Sequence, residues 1–186
     1  LTVNWQSFPA DFYNTGYAIQ VQPYAGDLNA GTLKIGKDVY PLTQLHVHTP
    51  GEHSVNGALY SAEIHFVHVR DDGRIAVLGV FVTLANASNA EFQKILDNMP
   101  NTPTIATHNK SSVIFNPKKL LPHGNGRFFT YSGSLTTPPC SAGVNWYIYE
   151  TPLAIAPGQL DQLVKFYNGN NRQTQPLKGR TLVKNK

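Results

Sequence analysis

The chain has 186 residues, the size of one domain with a substantial buried core. Fifteen Lys and Arg against eleven Asp and Glu leave a net charge of +4, and 14% charged against 41% hydrophobic residues excludes a disordered polyelectrolyte or a charge-rich coiled coil. The excess charge lies in scattered lysines and in Lys178, Arg180, Lys184 and Lys186, without a basic stripe interleaved with aromatics, so no nucleic-acid partner is expected. No apolar run approaches the ~20 residues of a membrane span, and the first residues lack the basic and apolar blocks of a signal peptide, so a soluble domain is expected. Glycine and proline are spread from Gly16 to Gly179, which predicts no linker and a single domain over residues 1–186. In chain order, β-branched and aromatic residues alternating with polar ones predict strands at 18–22, 42–48, 61–69 and 75–84. Helical periodicity follows at 90–99, then strands at 128–132 and 144–149, then a helix at 157–167 with Pro157 in its first turn and Gly169 beyond its end. Cys140, the single cysteine, excludes an internal disulfide and a multi-thiolate metal site. Asn86 and Asn109 begin N-glycosylation triplets of the kind that an asparagine-rich chain produces by chance.

Five of the seven histidines fall within residues 46–68. Strand alternation puts Gln44, His46 and His48 on one face of the first stretch, and Glu63, His65 and Val67 on one face of the second. Pro50-Gly51 and Asn56-Gly57 let the chain turn back between them, so an antiparallel pairing would set His65 beside His46 and His48. Three converging neutral imidazoles make a tetrahedral zinc site with an open fourth position, the pattern of catalytic rather than structural zinc. Gln44 and Glu63, two positions from a histidine on the same face, are placed to accept imidazole N–H groups, and Glu52-His53 adds a carboxylate and another imidazole. The alternative at this level is a set of separately hydrogen-bonded core or surface histidines.

The run Gln44-Leu45-His46-Val47-His48-Thr49-Pro50-Gly51-Glu52-His53, followed by Ala62-Glu63-Ile64-His65-Phe66-Val67-His68, closely resembles the zinc-site region of α-class carbonic anhydrases, in the style of bacterial, algal and plant members. Tyr131-Ser132-Gly133-Ser134-Leu135-Thr136-Thr137-Pro138-Pro139-Cys140 resembles that family's active-site loop, with Val144-Asn145-Trp146 continuing it, and Gln175-Pro176-Leu177-Lys178-Gly179-Arg180 resembles its C-terminal signature. The resemblance implies a mainly β (α+β) fold, a large twisted and mostly antiparallel sheet with a conical zinc cleft and short peripheral helices. It also implies a zinc lyase that hydrates carbon dioxide reversibly to bicarbonate and a proton by attack of zinc-bound hydroxide. His46, His48 and His65 would hold Zn2+; Thr136, donating to Glu52, would orient the nucleophile. Gln44, Glu63 and the Asn170 carbonyl would serve the ligands, His53 and Thr137 would neighbour the loop, and Val67, Val77, Leu135 and Val144 would form the apolar wall for carbon dioxide. Sulfonamides and small anions are expected inhibitors, and a homodimer is allowed for. The alternative is a non-enzymatic family member used for storage, matrix assembly or binding, against which the retention of all three histidines argues.

Two departures from the family pattern stand out. Tyr17 lies where fast members place a proton-passing histidine, and a phenol with ordinary pKa near 10 suits that transfer poorly. Leu1 resembles a position some tens of residues into the family fold, so the chain is expected to lack an N-terminal segment that carries, in many secreted members, a cysteine partner for the position of Cys140. An extracytoplasmic location, periplasmic or secreted, is the corresponding expectation.

Overall fold

The computed structural model describes residues 1–24, 29–103, 112–123 and 126–185. The strands, in chain order, are β1 (Thr2–Trp5), β2 (Phe8–Asn14), β3 (Ile19–Pro23), β4 (Gly31–Ile35), β5 (Asp38–His48), β6 (Ser54–Val55), β7 (Ala58–Leu59), β8 (Ala62–Val69), β9 (Ile75–Leu84), β10 (Ile114–Phe115), β11 (Phe128–Ser134), β12 (Ala142–Ile155) and β13 (Val183–Lys184). Helix α1 (Ala90–Asn98) follows β9, a 3-10 turn spans Pro117–Leu120, and α2 (Pro157–Phe166) follows β12. One large sheet runs β10-β2-β3-β5-β8-β9-β12-β11-β13, with β1 and β4 attached beside β5. Its pairings are antiparallel except β9 with β12, which run parallel. A parallel neighbour needs a long crossover, here the chain between β9 and β12 with α1 and the edge strands.

Period-2 alternation sorts the sheet into two faces. Leu45, Val47, Ile64, Phe66, Leu78 and Val80 point into the main core, which Phe92 and Ile95 of α1 and Leu163 of α2 close from outside. Residues in the alternate positions, among them Val67, Val77, Phe81, Val144, Trp146 and Ile148, form a second apolar cluster on the opposite face. β8 and β9 are buried on both faces; β9 is apolar nearly throughout, whereas β8 alternates core residues with the polar Glu63 and His65 of the other face. Gly79 faces His65 across the β8–β9 ladder, where a Cβ would sit 2.6 Å from Ile148 Cδ1 and 3.2 Å from Glu63 Oε1, so only glycine lets these side chains close in.

The helices begin where local chemistry dictates. Asn89 caps α1 by accepting from the Phe92 N–H at 2.8 Å, and Pro157 occupies the first turn of α2. Buried Gln159 joins the two starts, accepting from the Asn89 N–H and donating to the Asn89 carbonyl. α2 ends at Phe166, before Gly169, whose backbone is left-handed and whose N–H reaches the Thr49 carbonyl. Asn86 is exposed in the turn before α1, and Asn109 lies outside the described residues.

Several strands differ from the sequence reading, which has no counterpart for the two-residue β6, β7, β10 and β13. β1, β2 and β4 were not anticipated, because Pro9, Asp11 and Asn14 interrupt the apolar pattern of β2 and the other two are short and half-exposed. β5 starts at Asp38 rather than residue 42, its first part pairing with β4. β12 continues to Ile155 because a bulge between Tyr149 and Leu153 accommodates Pro152, which reads in the sequence as a strand end.

His68 belongs to the core face and is a structural histidine. Its Nε2 accepts from Trp5 Nε1 at 3.0 Å and its Nδ1 lies 3.3 Å from the Ala76 carbonyl, so both nitrogens are used by one neutral tautomer. Burial lowers its pKa to about 4, against smaller upward contributions from the Ala76 and Phe66 backbone. Unfolding frees the ring to bind a proton near pH 6.5, so stability from this group is intact above that pH and falls by about 3 kcal/mol as pH drops towards 4. His68→Phe is expected to make stability less pH-dependent in that window, and to cost about 1–3 kcal/mol at pH 7 by orphaning the Trp5 N–H. Urea denaturation at several pH values checks this, and an unchanged pH slope would contradict it.

Candidate metal centre

The β5–β8 register sets His46 opposite His65 and His48 opposite Glu63. The three imidazole centroids stand 4.8–5.2 Å apart. Each ring has one nitrogen committed to an oxygen acceptor: His46 Nδ1 to Gln44 Oε1 at 2.9 Å, His48 Nδ1 to the Asn170 carbonyl at 3.1 Å, and His65 Nε2 to Glu63 Oε1 at 2.9 Å. A nitrogen that donates leaves its counterpart with a lone pair, so these bonds select the tautomers and leave His46 Nε2, His48 Nε2 and His65 Nδ1 as donors. One ligand atom from each ring lies within 4.8 Å of the others. His48 Nε2 is buried without a hydrogen-bond partner among the described residues, an arrangement that costs stability unless a Lewis acid takes the lone pair. Burial first, then the neighbouring imidazoles, hold His46 well below the ordinary histidine pKa, and burial with His65 brings His48 to about 4. Both are therefore neutral at pH 7, the form that ligates metal.

Glu63 is the buried anchor of this arrangement. Its Oε2 accepts the Glu52 and His53 backbone N–H groups at 2.9 Å each, while Oε1 faces His53 Nδ1 at 2.6 Å as well as His65. Burial alone would raise its pKa, but His53, His65 and these bonds hold it well below the carboxylate range. Burial likewise opposes charge on His53, and Glu63 reverses that effect and raises its pKa. His53, Glu63 and His65 also lie within ligand distance of one another, yet His53 spends Nδ1 on Glu63 and Nε2 on Tyr131 Oη at 2.6 Å, so this group is a hydrogen-bond network.

Glu52 and Thr136 line one cavity, as the sequence leads one to expect, but no hydrogen bond joins them. Glu52 Oε1 accepts the Arg172 backbone N–H at 2.6 Å, and the buried Oε2 has no partner among the described residues, 3.8 Å from His65 Nδ1. Val67, Val77 and Val144 belong to one apolar cluster with Leu135 packed against it. Thr137 is exposed and does not line the cavity that Glu52 and Thr136 share, and half-buried Cys140 is a free thiol whose backbone N–H donates to the Thr137 carbonyl. Tyr17 is 78% exposed, its carbonyl accepting from Asn170 Nδ2, so its loop is tied to the residue that serves His48. Sequence reasoning gave no role to Tyr131, the partner of His53, or to Arg172, the partner of Glu52; only contacts between distant segments reveal them.

Residues 2–186 match the family model described as eukaryotic-type carbonic anhydrase. A carbonic anhydrase of Nostoc sp. is 36% identical over 184 residues, 98% of this chain and 67% of that protein. Among solved structures, the α-carbonic anhydrase of Thermovibrio ammonificans in complex with sulfanilamide has a TM-score of 0.86 at 38% identity, covering 97% of this chain and 77% of that one. A carbonic anhydrase of Chlamydomonas reinhardtii in complex with acetazolamide has a TM-score of 0.86 at 32% identity, covering 98% of this chain and 80% of that one. The chain belongs to the eukaryotic-type, α-class carbonic anhydrase family.

Proposed function

We propose that the chain is a zinc lyase interconverting carbon dioxide and bicarbonate, with His46, His48 and His65 as the metal ligands. The observation that carries this reading is the trio of imidazoles, each fixed by an acceptor on one nitrogen and each offering a ligand atom within 4.8 Å of the other two. Three nitrogen donors suit a tetrahedral ion with one open position, and zinc bound there supplies the Lewis acidity that makes water a nucleophile near neutral pH. The protein's own residues then orient and confine the reactants. Arg172 N holds Oε1 of Glu52, so Oε2 is the oxygen free to accept a hydrogen bond from the Thr136 hydroxyl, which would turn a lone pair of Thr136 towards the attacking water. Val67, Val77, Leu135 and Val144 give carbon dioxide, which has no net dipole, an apolar wall that excludes competing water. The product proton must leave, and the exposed side chain of Tyr17 is a phenol, without the imidazole nitrogen that suits proton transfer near neutral pH.

Stopped-flow carbon dioxide hydration by the zinc-loaded protein tests the reading: sulfonamide-sensitive turnover is expected, and a rate equal to buffer alone overturns it. Thr136→Ala should lower kcat/KM by about a hundredfold while zinc stays bound, because the metal's ligands are untouched and only the orienting hydroxyl is lost. At saturating carbon dioxide, turnover should rise with imidazole-type buffer concentration, and a flat response would show that a protein group already exports the proton. Chelator competition should show apparent zinc affinity falling only a few-fold between pH 7 and pH 6. Three imidazoles of ordinary pKa would lose about thirtyfold, and that steeper loss would contradict the lowered values of His46 and His48.

A further inference from the structure

Residues 170–172 form a clamp along the end of β5. The Asn170 carbonyl faces His48 Nδ1, Asn171 Nδ2 reaches the Gly51 carbonyl at 3.5 Å, and the Arg172 N–H meets Glu52 Oε1 at 2.6 Å. The Arg172 side chain continues away from Glu52 to the loop that carries Thr136. Its Nη1 donates to Ser134 Oγ at 3.2 Å and to the Leu135 carbonyl at 3.5 Å. That carbonyl belongs to the peptide bond leading into Thr136, and it also accepts from Ser134 Oγ at 3.0 Å. On its other side the loop is held by Trp146 Nε1 on the Ser134 carbonyl and by the Leu135 N–H on the Ser141 carbonyl.

We propose that Arg172 is a positioning residue for the hydration reaction: one residue sets the carboxylate of Glu52 through its backbone and the approach of Thr136 through its guanidinium. This rests on the carbon dioxide reading and deepens it. The two groups come from segments about 80 residues apart and share no direct bond, so their relative placement depends on what spans them. A planar guanidinium with several fixed donors holds two oxygens of one loop with little freedom, which a flexible ammonium does less well. A misplacement of about 1 Å at a reacting group can cost a hundredfold in rate, so the strap matters although it touches neither substrate nor metal ligand.

The experiment compares Arg172→Ala and Arg172→Lys with the wild type, all zinc-loaded, and repeats Arg172→Ala in a Thr136→Ala background. Every variant keeps the backbone N–H on Glu52, so only the guanidinium is tested. Arg172→Ala should lower kcat/KM about tenfold with zinc content unchanged, Arg172→Lys should recover part of the loss, and in the Thr136→Ala background the same change should cost less than about twofold, since the hydroxyl it positions is gone. In hydrogen exchange, the Leu135 amide of Arg172→Ala should exchange about tenfold faster while the β8 and β9 amides keep their protection. Wild-type kcat/KM in Arg172→Ala, or a tenfold loss that persists undiminished without the Thr136 hydroxyl, would overturn the proposal. An inactive wild type would sink the carbon dioxide reading instead, and the exchange of Leu135 would still decide whether the strap holds the loop.

Discussion

The Glu63 carboxylate accepts four N–H groups from inside the protein, two from the backbone of Glu52 and His53 and two from the rings of His53 and His65. An ionised carboxylate without water is costly to bury, by several kcal/mol, and it is tolerated only when its lone pairs are fully used. Here that requirement organises the site. The same four bonds fix the tautomer of His65, seat the imidazole of His53 against Tyr131, and pin the loop that carries Glu52. Gly51 and Gly79 leave room for the carboxylate, since a Cβ at either position would stand 3.3 Å or 3.2 Å from one of its oxygens.

The sheet supplies the rest of the order. Along one rung, Gln20 faces His46, His46 faces His65, and His65 faces Gly79. Along the next, Gln44 faces Val67, Val67 faces Val77, and Val77 faces Trp146. The face thus passes from amide side chains on β3 and β5, through the imidazoles, to an apolar wall on β8, β9 and β12. A small apolar substrate and a polar nucleophile ask for that gradient, and strand alternation delivers it from Gln44 onward, after a register shift between Leu42 and Gln44. The opposite face carries the core under α1 and α2, so the site rests on strands held from both sides.

Much of this is legible in the sequence because it has period 2. Gln44, His46, His48, Glu63 and His65 declare their faces by spacing, and the β5–β8 register brings them together as that spacing requires. His68 shows the limit of such reading: it sits in the same dense cluster, but its parity turns it to the core and its partner Trp5 is 63 residues away. The ladder hydrogen bonds of β1 and β4 and the length of β12 depend on neighbours rather than on their own composition. Arg172 and Tyr131 were silent for the same reason, since each acts on the site through a bond between segments far apart in the chain. The missing Thr136–Glu52 bond is the reverse case, a contact expected from resemblance where Glu52 Oε2 has no partner among the described residues.

The central claim is that hydrogen bonds on the far sides of three imidazoles aim His46 Nε2, His48 Nε2 and His65 Nδ1 at one ion. Anomalous diffraction from zinc-soaked crystals, recorded on both sides of the zinc absorption edge, tests it most directly. A single strong peak ligated by those three nitrogens, with Gln44, Asn170 and Glu63 still on the opposite ring nitrogens, is the predicted result. A peak held instead by His53 and Glu63, or rings flipped to present the other nitrogens, would contradict it.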